Sequence, residues 1–238
     1  TNGILQGCPV SVLLLNVYAS TWVAAVQRGC PSAKPGGYAD DLGATAKEAG
    51  TISEVTQLSE RFTALSGMSA SPKKSNVWAT SPELRQELQN ITLAGKKVPV
   101  AQQDRVLGAH LTYIRRQGPT TLTKKLDLCV QVCDRIEATL LPLEARAGLV
   151  SSVVIGKAVY AAAACAPPKK PTGRLRAACT RAIWGQAGRS RAPEIIHPLF
   201  AKGHITDLVQ AYAYSTLQTT RRVLRRHPEL WDSYTNVL

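Results

Sequence analysis

Two adjacent carboxylates, Asp40 and Asp41, lie in the stretch GGYADDLGATAK, residues 36–47, between neighbours too small to cover them. Like charges this close repel, so the pair belongs either in a solvated turn or beside cations that absorb the repulsion. Hard oxygen ligands suit Mg²⁺ or Mn²⁺, and two such ions about 3.5 to 4 Å apart can neutralise the attacking and leaving oxygens of a phosphoryl transfer. A tight hairpin with Tyr38 leading in and Ala39 and Gly43 nearby would leave room for a substrate to approach such a site.

Residues 37–46 read as that hairpin, with the acids at its tip. Ahead of it, Val12, Leu13, Leu15, Val17, Tyr18, Trp22, Val23 and Val26 recur at helical intervals, with Pro9 and Ser11 at the start and Gly29 beyond the end. This predicts a buried helix over residues 10–27. Behind the hairpin, Ile52, Val55, Leu58, Phe62 and Leu65 line one face of a second helix over 48–65. A turn through Gly67 and Pro72 leads to a strand at 76–80, and two more strands are expected across Gly95 and the polar run at 102–104. After Gly118 helical periodicity dominates, with breaks near Pro142 and Gly148, which predicts a helical bundle. PPKKPTGR, residues 167–174, reads as a solvated linker because its prolines resist helix continuation. Beyond it, Trp184, Phe200, Tyr212, Tyr214 and Trp231 are the expected core anchors.

A formal net charge of +13 and a pI near 9.7 over 238 residues point to a polyanionic partner, with nucleic acid ahead of a membrane surface. No apolar run approaches the roughly 20 residues a spanning helix needs, and no signal-peptide pattern is visible, so no membrane partner is expected. The six cysteines include no C-x-x-C, which fits an intracellular, reducing compartment and is compatible with the nucleus. Cys129 and Cys133, four apart, share a helix face, and without a second pair or a His at zinc-finger distance they read as buried apolar residues.

GILQGCPVSVLLLNVY, residues 3–18, followed by YADDL, 38–42, resembles two consecutive blocks of reverse transcriptases, the Q-G-x-P-x-S helix start and the Y-x-D-D hairpin. LSGMSASPKKSNVW, 65–78, is similar to the next block through Gly67, Lys74 and Ser75. RVLGAHL, 105–111, resembles the Leu-Gly strand that follows in non-LTR, LINE-like retroelement enzymes. The resemblance implies an α+β fold: a partial polymerase palm over 1–117, a helical thumb-like region over 118–166 and a basic helical extension over 167–238.

It also implies an RNA-directed DNA polymerase acting on an RNA template, a DNA primer and dNTPs. In that scheme Asp40 bridges two Mg²⁺ (or Mn²⁺) ions, Asp41 is a looser ligand, and Lys74 donates to the leaving pyrophosphate. Gln6 and Gly7 lie under the templating base pair, Tyr38 sits beside the incoming sugar, and Leu107 and Gly108 support the primer. Lys74 also reads as an ordinary turn lysine beside Lys73. The family's further catalytic Asp and its basic finger residues are not in this chain, and residues 1–38 contain no acid, so the third carboxylate is expected upstream of Thr1 and this fragment is expected to be inactive alone. The small residues of LGATAK depart from the family's bulkier strand, which keeps open a non-catalytic nucleic-acid-binding relic. An RNA-directed RNA polymerase shares the paired Asp but not the Q-G-x-P-x-S and Y-x-D-D forms. Arg221, Arg222, Arg225 and Arg226, in RRVLRR, are suited to phosphate or form a solvated face.

Overall fold

Pro9 opens the first helix, α1 (Pro9–Gly29), at a position where its missing N–H costs no hydrogen bond. The computed structural model describes residues 8–114, 120–185, 192–201 and 204–235. It divides into two units, Thr1–Gln102 and Gln103–Leu238.

In the first unit α1 is followed by the hairpin β1 (Lys34–Tyr38) and β2 (Asp41–Thr45), then α2 (Ala49–Leu65), α3 (Pro82–Leu88) and a second hairpin of β3 (Thr92–Leu93) and β4 (Lys96–Lys97). Trp22, Val26, Cys30, Ala33 and Val55 form one of its two cores, and Leu42, Ala44, Leu58 and Phe62 pack against it. Two named contacts join α1 to α2: the Trp22 indole N–H donates to Ser59 Oγ at 3.0 Å, and the Tyr18 and Phe62 rings lie 5.0 Å apart. These contacts begin at Tyr18. The preceding turns are not buried as expected: Val10, Val12, Leu13, Leu14 and Val17 are all more than half exposed. The expected strand at 76–80 reduces to a single parallel bridge between Val77 and Val100.

The second unit opens with the hairpin β5 (Gln103–Val106) and β6 (Ala109–Thr112) and continues with α4 (Thr120–Glu137). Next comes one helical rod of α5 (Leu143–Leu149), a π-helical turn (Val150–Ile155) and α6 (Gly156–Val159). Then follow α7 (Lys169–Trp184), α8 (Pro193–Ala201), α9 (Leu208–Arg226) and α10 (Trp231–Thr235). Leu122, Leu126, Cys129, Cys133 and Ile136 recur at heptad-like intervals on α4 and are buried against Leu175, Ala178, Cys179 and Ile183 of α7. Cys133 and Cys179 bring their sulfurs to 3.8 Å, and both remain thiols.

The segment expected to be a linker forms the first turns of α7 instead. Pro171 falls within the first turn, where backbone N–H groups lack intrahelical partners in any case. Among the expected anchors Tyr212 is buried, and its hydroxyl donates to the Ala158 carbonyl at 3.1 Å; burial pushes its pKa up to about 12. Tyr214, Trp184 and Trp231 are exposed.

Two helical stretches are long and apolar enough to cross a membrane by length and composition, Val10–Gly29 and Leu143–Ala164, with mean hydropathies of 1.5 and 1.6. This corrects the expectation that none approaches that length. In the first stretch the apolar residues are interrupted by Asn16, Ser20 and Thr21, and the two hydroxyls bond back to their own helix at Asn16 O and Val17 O. The second supplies Val150, Val154, Ile155 and Ala158 to the core of its unit, which explains its hydropathy.

Gly108 shows how tightly the β5–β6 turn is held. Leu107 and Gly108 both have left-handed backbone, with φ of 50° and 81°, as the type I′ form of a two-residue hairpin turn requires. The Tyr160 hydroxyl donates to the Leu107 carbonyl at 3.1 Å, and a Cβ on Gly108 would lie 2.7 Å from Tyr160 Cε1. Gly108→Ala is expected to cost about 1 to 2 kcal/mol in urea unfolding, from left-handed strain and the displaced ring. An unchanged midpoint would show that the turn relaxes freely.

Candidate nucleic-acid interface

Asp40 and Asp41 do occupy a hairpin tip. Tyr38 pairs with Asp41, leaving Ala39 and Asp40 as the two-residue turn, and Ala39 adopts a left-handed φ of 53°. Strand alternation sends Leu42 and Ala44 toward α1 and α2 and leaves Asp41, Gly43 and Thr45 exposed. Asp40 and Tyr38 are exposed as well. Lys74 lies exposed on the turn that follows Ser71, its N–H bonded to the Ser71 carbonyl at 3.0 Å. Neither a hydrogen bond nor an ion pair links Lys74 to either aspartate. Gln6 and Gly7 lie outside the described residues.

The expected two-metal centre is corrected. Among the described residues, no group of three or more His, Cys, Asp or Glu side chains could hold a metal ion. Asp40 and Asp41 are only two donors, and a third acid cannot come from residues 8–38, which contain none. A Mg²⁺ or Mn²⁺ pair needs shared carboxylates to fix its spacing, and the hairpin tip does not supply that set.

Two populations of arginine, on α7 and α9, contrast within the second unit. On α7, Arg174 meets Asp127 at 2.9 Å, and Arg181 meets Asp134 at 3.2 Å and Glu137 at 3.7 Å. Arg176 forms a fork on Asp207, with Nε to Oδ1 at 3.1 Å and Nη2 to Oδ2 at 2.7 Å, and also reaches Glu194 at 3.0 Å. These contacts, the Asp207 hydrogen bonds foremost, push the Arg176 pKa further up. By contrast, Arg221, Arg222, Arg225 and Arg226 are exposed on the last turns of α9 and take part in no ion pair among the described residues. They span about 140° of the helix circumference at 100° per residue.

Asp207 ties both populations together. It is buried, and its side chain accepts from the Val209 N–H at 2.9 Å, capping α9 while it pairs with Arg176. Nearby, His197 is buried between Thr180 Oγ1 at 3.3 Å and Thr206 Oγ1 at 3.2 Å; burial pushes its pKa down and favours the neutral ring. It is a packed, hydrogen-bonded residue, not one open to a substrate.

One exposed line on α9 went unrecognised in the sequence. Tyr214, Gln218, Arg221 and Arg225 follow one another at i, i+4, i+7 and i+11, and all are exposed. Comparison with known proteins finds no family model, no curated protein and no solved structure that matches the chain.

Proposed function

We propose that the chain is a nucleic-acid-binding part of a reverse-transcriptase-like protein that grips phosphates with little sequence preference. The supporting observation is the end of α9, where four guanidiniums stand exposed with no ion pair among the described residues, in a chain of net charge +13. Guanidiniums neutralise phosphates and release condensed counterions, which binds any strand regardless of its bases. The motif resemblance and the placement of Tyr38, Asp40 and Asp41 at a hairpin tip favour a retroelement origin for the chain. Nucleotidyl transfer is not part of the reading, because the described residues do not assemble the carboxylates it requires.

The test is fluorescence anisotropy with labelled RNA and DNA across a salt series, alongside primer extension. Affinity is expected to fall by orders of magnitude between about 50 and 200 mM salt if roughly six or more phosphates are contacted, with no extension. Salt-independent binding would overturn the electrostatic reading, and extension by this chain would overturn its non-catalytic part.

A further inference from the structure

Beside the line on α9 lies an open groove of about 340 Å³, within the size range of small-ligand sites. Ser151 and Ile155 of the π-helical turn and Gly156 of α6 form one side; Tyr214 and Gln218 of α9 face them, with His204 at the margin. Gly156 has ordinary right-handed helical backbone, φ −53° and ψ −44°, so the fold does not need a glycine there for conformational reasons. Glycine weakens a helix relative to alanine, and a Cβ at Gly156 would meet nothing within 4 Å. What this glycine does provide is open space opposite Tyr214. The Tyr214 side chain is 53% exposed, and its hydroxyl accepts a hydrogen bond from Gln218 Nε2. That bond orients an aromatic ring at the groove edge.

We infer that this groove receives one unpaired base of a single-stranded nucleic acid, stacked on Tyr214, while Arg221 and Arg225 follow the strand's phosphates along α9. The inference rests on the nucleic-acid reading above and names the form of nucleic acid and the site. From Tyr214 to Arg225 the helix rises ~16 Å, long enough for Arg221 and Arg225 to meet successive phosphates of a strand whose base lies at Tyr214. Aromatic platforms beside tracks of positive charge are how single strands are held without base-specific hydrogen bonds. A duplex keeps its bases stacked inside and offers none to the groove. A membrane surface is the weaker fit: Leu208, Ala211 and Tyr212 bury the first turns of α9 in the core, so only its second half is free to lie on lipid.

The experiment compares a labelled oligo(dT), an abasic oligomer of equal length, a duplex, and vesicles of phosphatidylcholine and phosphatidylserine. The protein should bind oligo(dT) more tightly than the abasic strand. Tyr214→Ala should abolish that difference, with about a tenfold loss on oligo(dT) and none on the abasic strand or duplex. Tyr214→Phe should retain it. Gly156→Leu, which fills the groove from a helical position, should reproduce Tyr214→Ala; if it does not fold, the exposed Tyr214→Ala decides. Equal oligo(dT) binding by Tyr214→Ala and the parent protein would overturn the stacking site and leave the nucleic-acid reading intact. Failure of every nucleic acid to bind would overturn both, and recruitment to vesicles in that case would assign the surface to lipid.

Discussion

Replacing Arg221, Arg222, Arg225 and Arg226 together with alanine is expected to weaken RNA and DNA binding by about two to three orders of magnitude at ~0.1 M salt. Each phosphate contact contributes about 0.9 to the slope of log affinity against log salt on duplex DNA, so four lost contacts should flatten that slope by ~3.6. The loss should be nearly uniform across sequences, because phosphate contacts carry no base information. The four side chains are exposed and make no ion pair among the described residues, so the fold should survive, as far-UV circular dichroism and an unchanged unfolding midpoint would show. If the fourfold variant keeps both affinity and slope, the interface lies elsewhere and the role assigned to α9 is wrong.

The second large effect is expected at Asp207. Asp207→Ala leaves Arg176 at the core boundary with only the exposed Glu194 as partner, and it removes the acceptor that caps α9 at Val209. Breaking a buried pair from one side costs about 3 kcal/mol when the surviving charge retains some solvent, and losing a cap costs about 1 kcal/mol. Urea unfolding should therefore show a loss of about 4 kcal/mol, a large fraction of the stability of a typical domain. Asp207→Asn keeps an oxygen for the Val209 N–H and removes only the charge, so it should lose less. A drop below about 1 kcal/mol for Asp207→Ala would mean that Arg176 finds water or Glu194 at no cost. The variant also bears on function, since α9 carries the four exposed arginines and Asp207 caps the start of that helix.

Local signals predicted the elements better than they predicted what covers them. The burial of Cys129 and Cys133 was readable because one helix face decides burial by itself. The same periodicity on α1 gave the helix but not its exposed first turns, because coverage there depends on other elements. The helix Pro82–Leu88 was overlooked although Ser81 caps it, accepting from the Leu84 N–H at 3.1 Å, with Pro82 at the first position. Tyr212 and Tyr214 could not both be core anchors: two residues apart on a helix they point about 200° apart, so burying one exposes the other. Applied in advance, that geometry would have exposed the line from Tyr214 to Arg225. The Y-A-D-D tip was legible as a hairpin, whereas a metal centre requires a third acid from distant sequence, which no local pattern can supply.

Burial along α9 is uneven, with Leu208, Ala211 and Tyr212 packed and every later residue at least partly exposed. Mechanically, such a helix is a cantilever clamped over its first turns, with an arm of about 21 Å beyond Tyr212. A tilt of ~10° at the clamp swings the far turn by ~4 Å. The arginines can thus follow a bent or irregular backbone by moving together, without rearranging the core that holds them.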